Sequence, residues 1–196
     1  MTYRGMRAVH RILIAGICAA TLSAPALAHP GHQESGLVAG LLHPLTGMDH
    51  LAAMLMVGLW AGLAAGRALW LLPAAFLSAM LGGFGFGILA QTGGSEAELL
   101  IILSVLALGG AVALKLHAPL VLAAGLAGLF GFAHGMAHGL ESPGGEAAFT
   151  FAGGFLVATA ALHFAGLALA RYVPAGWVRG IGIAVTGFGL LLAGTA

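Results

Sequence analysis

Charged side chains are nearly missing from this 196-residue sequence, where Asp, Glu, Lys and Arg make up 7%. A soluble domain carries about 25% and needs them to keep its surface wet. The deficit excludes an ordinary water-facing domain. Net charge is also close to zero, at +1, so a nucleic-acid partner has no electrostatic footing. Cysteine is limited to Cys18, which excludes a disulfide framework. No P-loop lysine motif occurs, which argues against ATP hydrolysis, and the zincin sequence HExxH is absent.

Apolar residues make up 60% of the chain, and glycine is abundant, with 33 residues. Glycine is a poor helix former in water, but in lipid it lets helices approach closely. The composition therefore reads as a tight helical bundle in a bilayer. The N-terminus follows a different design. Arg4, Arg7 and Arg11 precede the apolar run Ile12 to Ala20, and Ala26-Leu27-Ala28 has the A-x-A pattern of a cleavage site. This is the layout of a secretory signal peptide. Cleavage after Ala28 leaves a mature domain, 29–196, that begins His29-Pro30-Gly31-His32. Cys18 leaves with the removed segment, and with it any thiolate ligand or cysteine nucleophile.

Six segments have the length and hydropathy of membrane helices: residues 37–65, 69–91, 98–114, 118–140, 147–170 and 176–195. The fold class expected is an all-α integral membrane protein with six transmembrane helices after a cleaved signal peptide. Basic residues of the mature chain fall in alternate breaks, at Arg67, at Lys115, and at Arg171 and Arg179. The other breaks carry Glu96 and Glu98, then Glu141 and Glu146. The positive-inside rule puts the basic breaks in the cytoplasm. The mature N-terminus then faces the periplasm of an inner-membrane protein, as a cleaved signal requires, and with six helices the C-terminus faces it too. Ala39-Gly40-Leu41 with Gly47-Met48-Asp49-His50 recurs 88 positions later as Ala127-Gly128-Leu129 with Gly135-Met136-Ala137-His138. That spacing points to a 3+3 inverted repeat, an arrangement common among transporters.

Ionisable groups inside a membrane segment cost about 2.5–3.5 kcal/mol each on insertion scales and persist where they have partners and work. One group is His43-Pro44-Leu45-Thr46-Gly47-Met48-Asp49-His50. Pro44 and Gly47 predict a kinked or unwound helix. Thr46 and Asp49 have the spacing of a capping box that would restart it. The second group, His134, His138 and Glu141, shares one helical face. At 1.5 Å per residue, His50 lies about 24 Å from the cytoplasmic end of its helix, and His134 about 10 Å inward of Glu141. The two groups thus fall at similar depth near the outer face.

Imidazoles beside carboxylates suit Ni, Co, Zn, Cu(II) or Fe(II) rather than Mg or Ca. His29 and His32 would capture the ion outside, the paired clusters would select it, and His163, deeper in the fifth span, would pass it inward. Blander readings stand beside these. A lone membrane histidine such as His163 often serves as a helix–helix hydrogen-bond partner, and His117 reads as interfacial. His29 and His32 can be a solvated tail, and Met48, Met54, Met56 and Met136 read as packing residues. Two other functions compete with transport. A membrane zinc hydrolase would hold metal with three ligands and a water. A bis-histidine haem protein sits badly with Asp49 and Glu141 beside the histidines.

His43-Pro44-x-x-Gly47-x-Asp49-His50 resembles the HPxxGxDH signature of the HupE/UreJ family, and His134-Gly135-x-Ala137-His138-Gly139-x-Glu141 resembles its second signature. The resemblance spans the whole chain. It implies a secondary permease for nickel, or cobalt, serving hydrogenase or urease maturation. It implies no permanently bound cofactor, and functional roles for His43, Asp49, His50, His138 and Glu141, with His134 inside the second motif. The partners so implied are a divalent transition-metal ion and the lipid bilayer.

Overall fold

The computed structural model describes residues 36–142 and 145–195. The expected signal peptide, with His29 and His32, lies outside the described residues. Among the described residues the chain is wholly helical apart from short turns, with seven helices: α1 (Gly36–Thr46), α2 (Met48–Ala64), α3 (Ala68–Ala90), α4 (Gly94–Ala113), α5 (Leu120–Leu140), α6 (Gly145–Tyr172) and α7 (Ala175–Ala193). Helices α3 to α7 are each long and apolar enough to cross a membrane; α1 and α2 meet that test only as a pair, bent by 82°. Large apolar side chains cover the outside, among them Val121 (86% exposed) and Leu89 (85%). In water such a surface would aggregate; in lipid it matches its solvent.

The bend falls where Pro44 and Gly47 disfavour a regular helix, but its local chemistry differs from the expected capping box. Thr46 Oγ1 donates back to His43 O at 2.9 Å, which ties off the end of α1. Gly47 is the N-cap of α2, in extended conformation with no side-chain cap. Asp49 is thereby left free for His50.

Helix boundaries differ from expectation mainly at the charged ends. The segment expected at 98–114 begins at Gly94, with Glu96 in its first turn. Likewise Glu146 lies in the first turn of α6 and Arg171 in its last. Acids at a helix N-terminus and bases at a C-terminus complement the macrodipole, so residues that read as loop become helix ends.

Glycine decides which helices touch. On α5, Gly131, Gly135 and Gly139 recur every four residues and so share one face. A Cβ at each would fall on the backbone oxygen of Phe76, Met80 or Phe84 of α3. Helix α4 meets α7 in the same way at Gly109 and Gly182. Helix α6 braces both arms of the bent pair. Gly40 of α1 lies on Phe151 O, and Gly58 of α2 lies on His163 O. The histidines of α5 pack against these elements, His138 on His43 and Phe155 and His134 on His50 and Phe76, and Met54, Phe76, Met80 and Phe155 are fully buried.

Candidate metal centre

The bend turns His43, at the end of α1, back toward His50, in the first turn of α2, and their ring centroids lie 6.3 Å apart. Asp49 Oδ1 accepts from the His50 backbone N–H at 2.8 Å and pairs with His50 Nδ1 at 2.9 Å. Read as a neutral imidazole, His50 then carries its proton on Nδ1 and keeps a lone pair on Nε2. A carboxylate behind a ring nitrogen is the usual support of a metal-ligating histidine. His50 Nε2 is buried with no hydrogen-bond partner. Gly47 leaves room for this pairing: a Cβ there would stand 3.1 Å from Asp49 Oδ1 and 3.2 Å from His50 Nδ1.

Helix α5 supplies the opposite wall. His134 is fully buried, and its Nδ1 donates to Phe130 O one turn back at 2.8 Å. Its Nε2 is left without a partner, which repeats the arrangement at His50 with a carbonyl in place of a carboxylate. His138, one turn outward, is also fully buried, and neither of its nitrogens is bonded. A buried polar atom without a hydrogen bond costs about 1–3 kcal/mol, so packing alone does not account for this group.

The two walls meet. His50 lies 4.8 Å from His134 and 4.6 Å from His138, centroid to centroid, and His138 lies 4.6 Å from His43. At the C-terminal end of α5, Glu141 Oε2 pairs with His43 Nε2 at 3.2 Å. The hydrogen bond from His43 holds the Glu141 carboxyl below its ordinary range. Donor atoms of His43, His138 and Glu141 all lie within 4.8 Å of one another, close enough to converge on one ion. His138 thus joins an outer trio, with His43 and Glu141, to an inner one of Asp49, His50 and His134.

All six residues of the two sequence motifs are therefore brought together. His163 is not among them. The ring of Phe76 stands between, 5.4 Å from His134 and 5.2 Å from His163. His117 is exposed at the opposite end of the bundle, on a cavity of about 190 Å³ that Trp60 and Arg67 also line. Met54 and Met56 are buried as packing predicts, whereas Met48 is 57% exposed.

Two neighbours escaped the sequence reading. A cavity of about 470 Å³ leads to Asp49, His50 and Glu141, and Glu98 lines it too. Glu98 had read as the boundary between a break and the span 98–114; starting α4 at Gly94 places it one turn into the helix. Phe76 carries no sequence signal, being one apolar residue among many.

The profile of a family described as HupE / UreJ protein matches residues 17–192. A curated relative, Protein HupE of Rhizobium leguminosarum bv. viciae, is 39% identical over 183 residues, covering 88% of this chain and 94% of its own. No solved structure matches the chain.

Proposed function

Because this chain belongs to the HupE/UreJ family, we propose that it is a secondary permease for a divalent transition-metal ion, nickel or cobalt, moving inward across the cytoplasmic membrane. The client would be a metalloenzyme under assembly, a hydrogenase or urease. The observation that carries this reading is the convergence of four imidazoles and two carboxylates from α1, α2 and α5, with buried nitrogens left unpartnered at His50, His134 and His138. Such a donor set suits a late first-row divalent ion. The ion is substrate here, met first by His43, His138 and Glu141 and then by Asp49, His50 and His134, with His29 and His32 capturing it outside. Two carboxylates among neutral imidazoles balance a double positive charge. A membrane potential, negative inside, draws a divalent ion inward by about 4.6 kcal/mol per 100 mV, twice the value for a single charge.

In this reading the bent pair counts as one span, giving six, with cleavage after Ala28 and both mature termini in the periplasm. The strongest helix pairings support an inverted repeat, since exchanging the halves carries the α1–α2/α6 contact onto the α5/α3 contact and returns α4/α7 to itself, whereas the α2/α4 and α2/α3 contacts have no comparable counterpart among the described residues.

The test is uptake of radioactive nickel and cobalt in cells lacking their own importers. Asp49→Asn and His50→Ala should each abolish uptake while the protein still reaches the membrane. Unchanged uptake in both would remove the site assignment. Lipid hydrolysis by the purified, zinc-loaded protein would instead favour a membrane hydrolase.

A further inference from the structure

Inward of the histidine cluster lies a second group of donor atoms. His163 is 1% exposed, and neither ring nitrogen has a hydrogen-bond partner. One turn earlier on α6, and so on the same face, Thr159 is fully buried. Its hydroxyl donates to Met54 Sδ of α2 at 3.2 Å, and Met80 Sδ of α3 lies 4.0 Å from the same oxygen. Helix α3 repeats the spacing: Phe76, which packs on His163, is one turn from Met80. Three helices thus bring a hydroxyl and two thioethers together in the buried core, one helical turn along α6 from the imidazole of His163. Buried polar groups are almost always hydrogen-bonded, so a histidine with both nitrogens unpartnered calls for an explanation.

We propose that His163, Thr159, Met54 and Met80 form a second metal site, a relay that receives a late first-row divalent ion, Ni2+ or Co2+, from the outer cluster. The proposal rests on the permease reading above. Its ligands differ from the outer ones in one decisive respect: none is charged. Imidazole and thioether hold soft and borderline ions, whereas Mg2+ and Ca2+ require a shell of oxygens. A neutral ligand set holds a divalent ion loosely, and a transported ion must leave as readily as it binds. The thioether is only a weak hydrogen-bond acceptor, and the Thr159 oxygen keeps its lone pairs while its proton lies toward Met54. The hydroxyl–thioether contact is therefore one that a passing ion can replace.

The test uses the full chain in a Cys18→Ala background, where methionine is the only sulfur. Leucine for Met54 and Met80 and valine for Thr159 roughly preserve volume. In proteoliposomes this triple variant should lower the maximal rate of nickel uptake by about tenfold or more, the scale on which metal sites respond to a lost partner. Nickel affinity of the outer cluster, by equilibrium dialysis, should stay within about twofold, since none of the three residues belongs to that cluster and Met-to-Leu swaps are well tolerated. X-ray absorption of the parent protein loaded with excess nickel should contain a sulfur scatterer that Met54→Leu with Met80→Leu removes. That measurement decides the matter if the triple variant fails to fold. An unchanged uptake rate, or a nitrogen-and-oxygen-only metal shell in the parent, would overturn the relay while leaving the outer site standing. A parent protein that neither binds nor transports nickel would overturn the permease reading and the relay with it.

Discussion

Asp49 Oδ1 meets both the backbone N–H and the Nδ1 of His50, so one carboxylate oxygen sets where the imidazole stands and which nitrogen can carry its proton. A side chain at position 47 would crowd that double contact, its Cβ standing 3.1 Å from Asp49 Oδ1 and 3.2 Å from His50 Nδ1. Alanine there meets no backbone strain, since φ is −86°, but its Cβ would press on both members of the pair. Gly47→Ala should therefore weaken nickel binding by about tenfold, as loss of a supporting partner does in metal sites, and equilibrium dialysis measures this directly. The six motif residues were legible in the sequence because a charged or imidazole group at membrane depth is costly and stands out against Ala, Gly and Leu. Phe76 was not legible, because an aromatic ring in an apolar helix looks the same whether it faces lipid or separates two histidines. Thr46 was misread for a related reason: its spacing from Asp49 suits a capping box, in which the hydroxyl accepts from a backbone N–H, but a hydroxyl can equally donate back to its own helix, as Thr46 does to His43 O.

Among the helices, glycine does what side-chain burial does in a soluble core. Gly135 of α5 lies so close to Met80 O of α3 that a Cβ has no room. Gly125 of the same helix has open space around it. Gly135→Ala should destabilise the protein in detergent by about 1–3 kcal/mol, the usual cost of overpacking. Gly125→Ala should be neutral or stabilising, since alanine is the better helix former by about 1 kcal/mol. Thermal unfolding of the two variants side by side distinguishes them. Spans and breaks were visible in the hydropathy, while the pairing of helices was not: 33 glycines offer too many faces, and only the three-dimensional packing selects those against a neighbour. The early start of α4 was hidden because Glu96 and Glu98 look like loop residues until their fit to a helix N-terminus is considered.

For the molecule as a whole, loop charge predicts which side each turn faces. In a Cys18→Ala background, Gln91→Cys should react with a membrane-impermeant thiol reagent added outside, and Lys115→Cys should react only after the membrane is opened. Both positions are exposed turns, so the labelling pattern reads orientation rather than burial, and the reverse pattern would invert the assignment of mouth and exit. The bracing of both arms of the bent pair by α6 carries a further consequence. Its contacts at Phe151 and His163 are 12 residues apart, about 18 Å along one rod at 1.5 Å per residue. On the relay proposal, a tilt of that rod at His163 would shift the backbone at Phe151 on which α1 rests, and with it His43. Whatever shifts that rod at one arm is felt at the other, so the two arms of the elbow cannot be set independently.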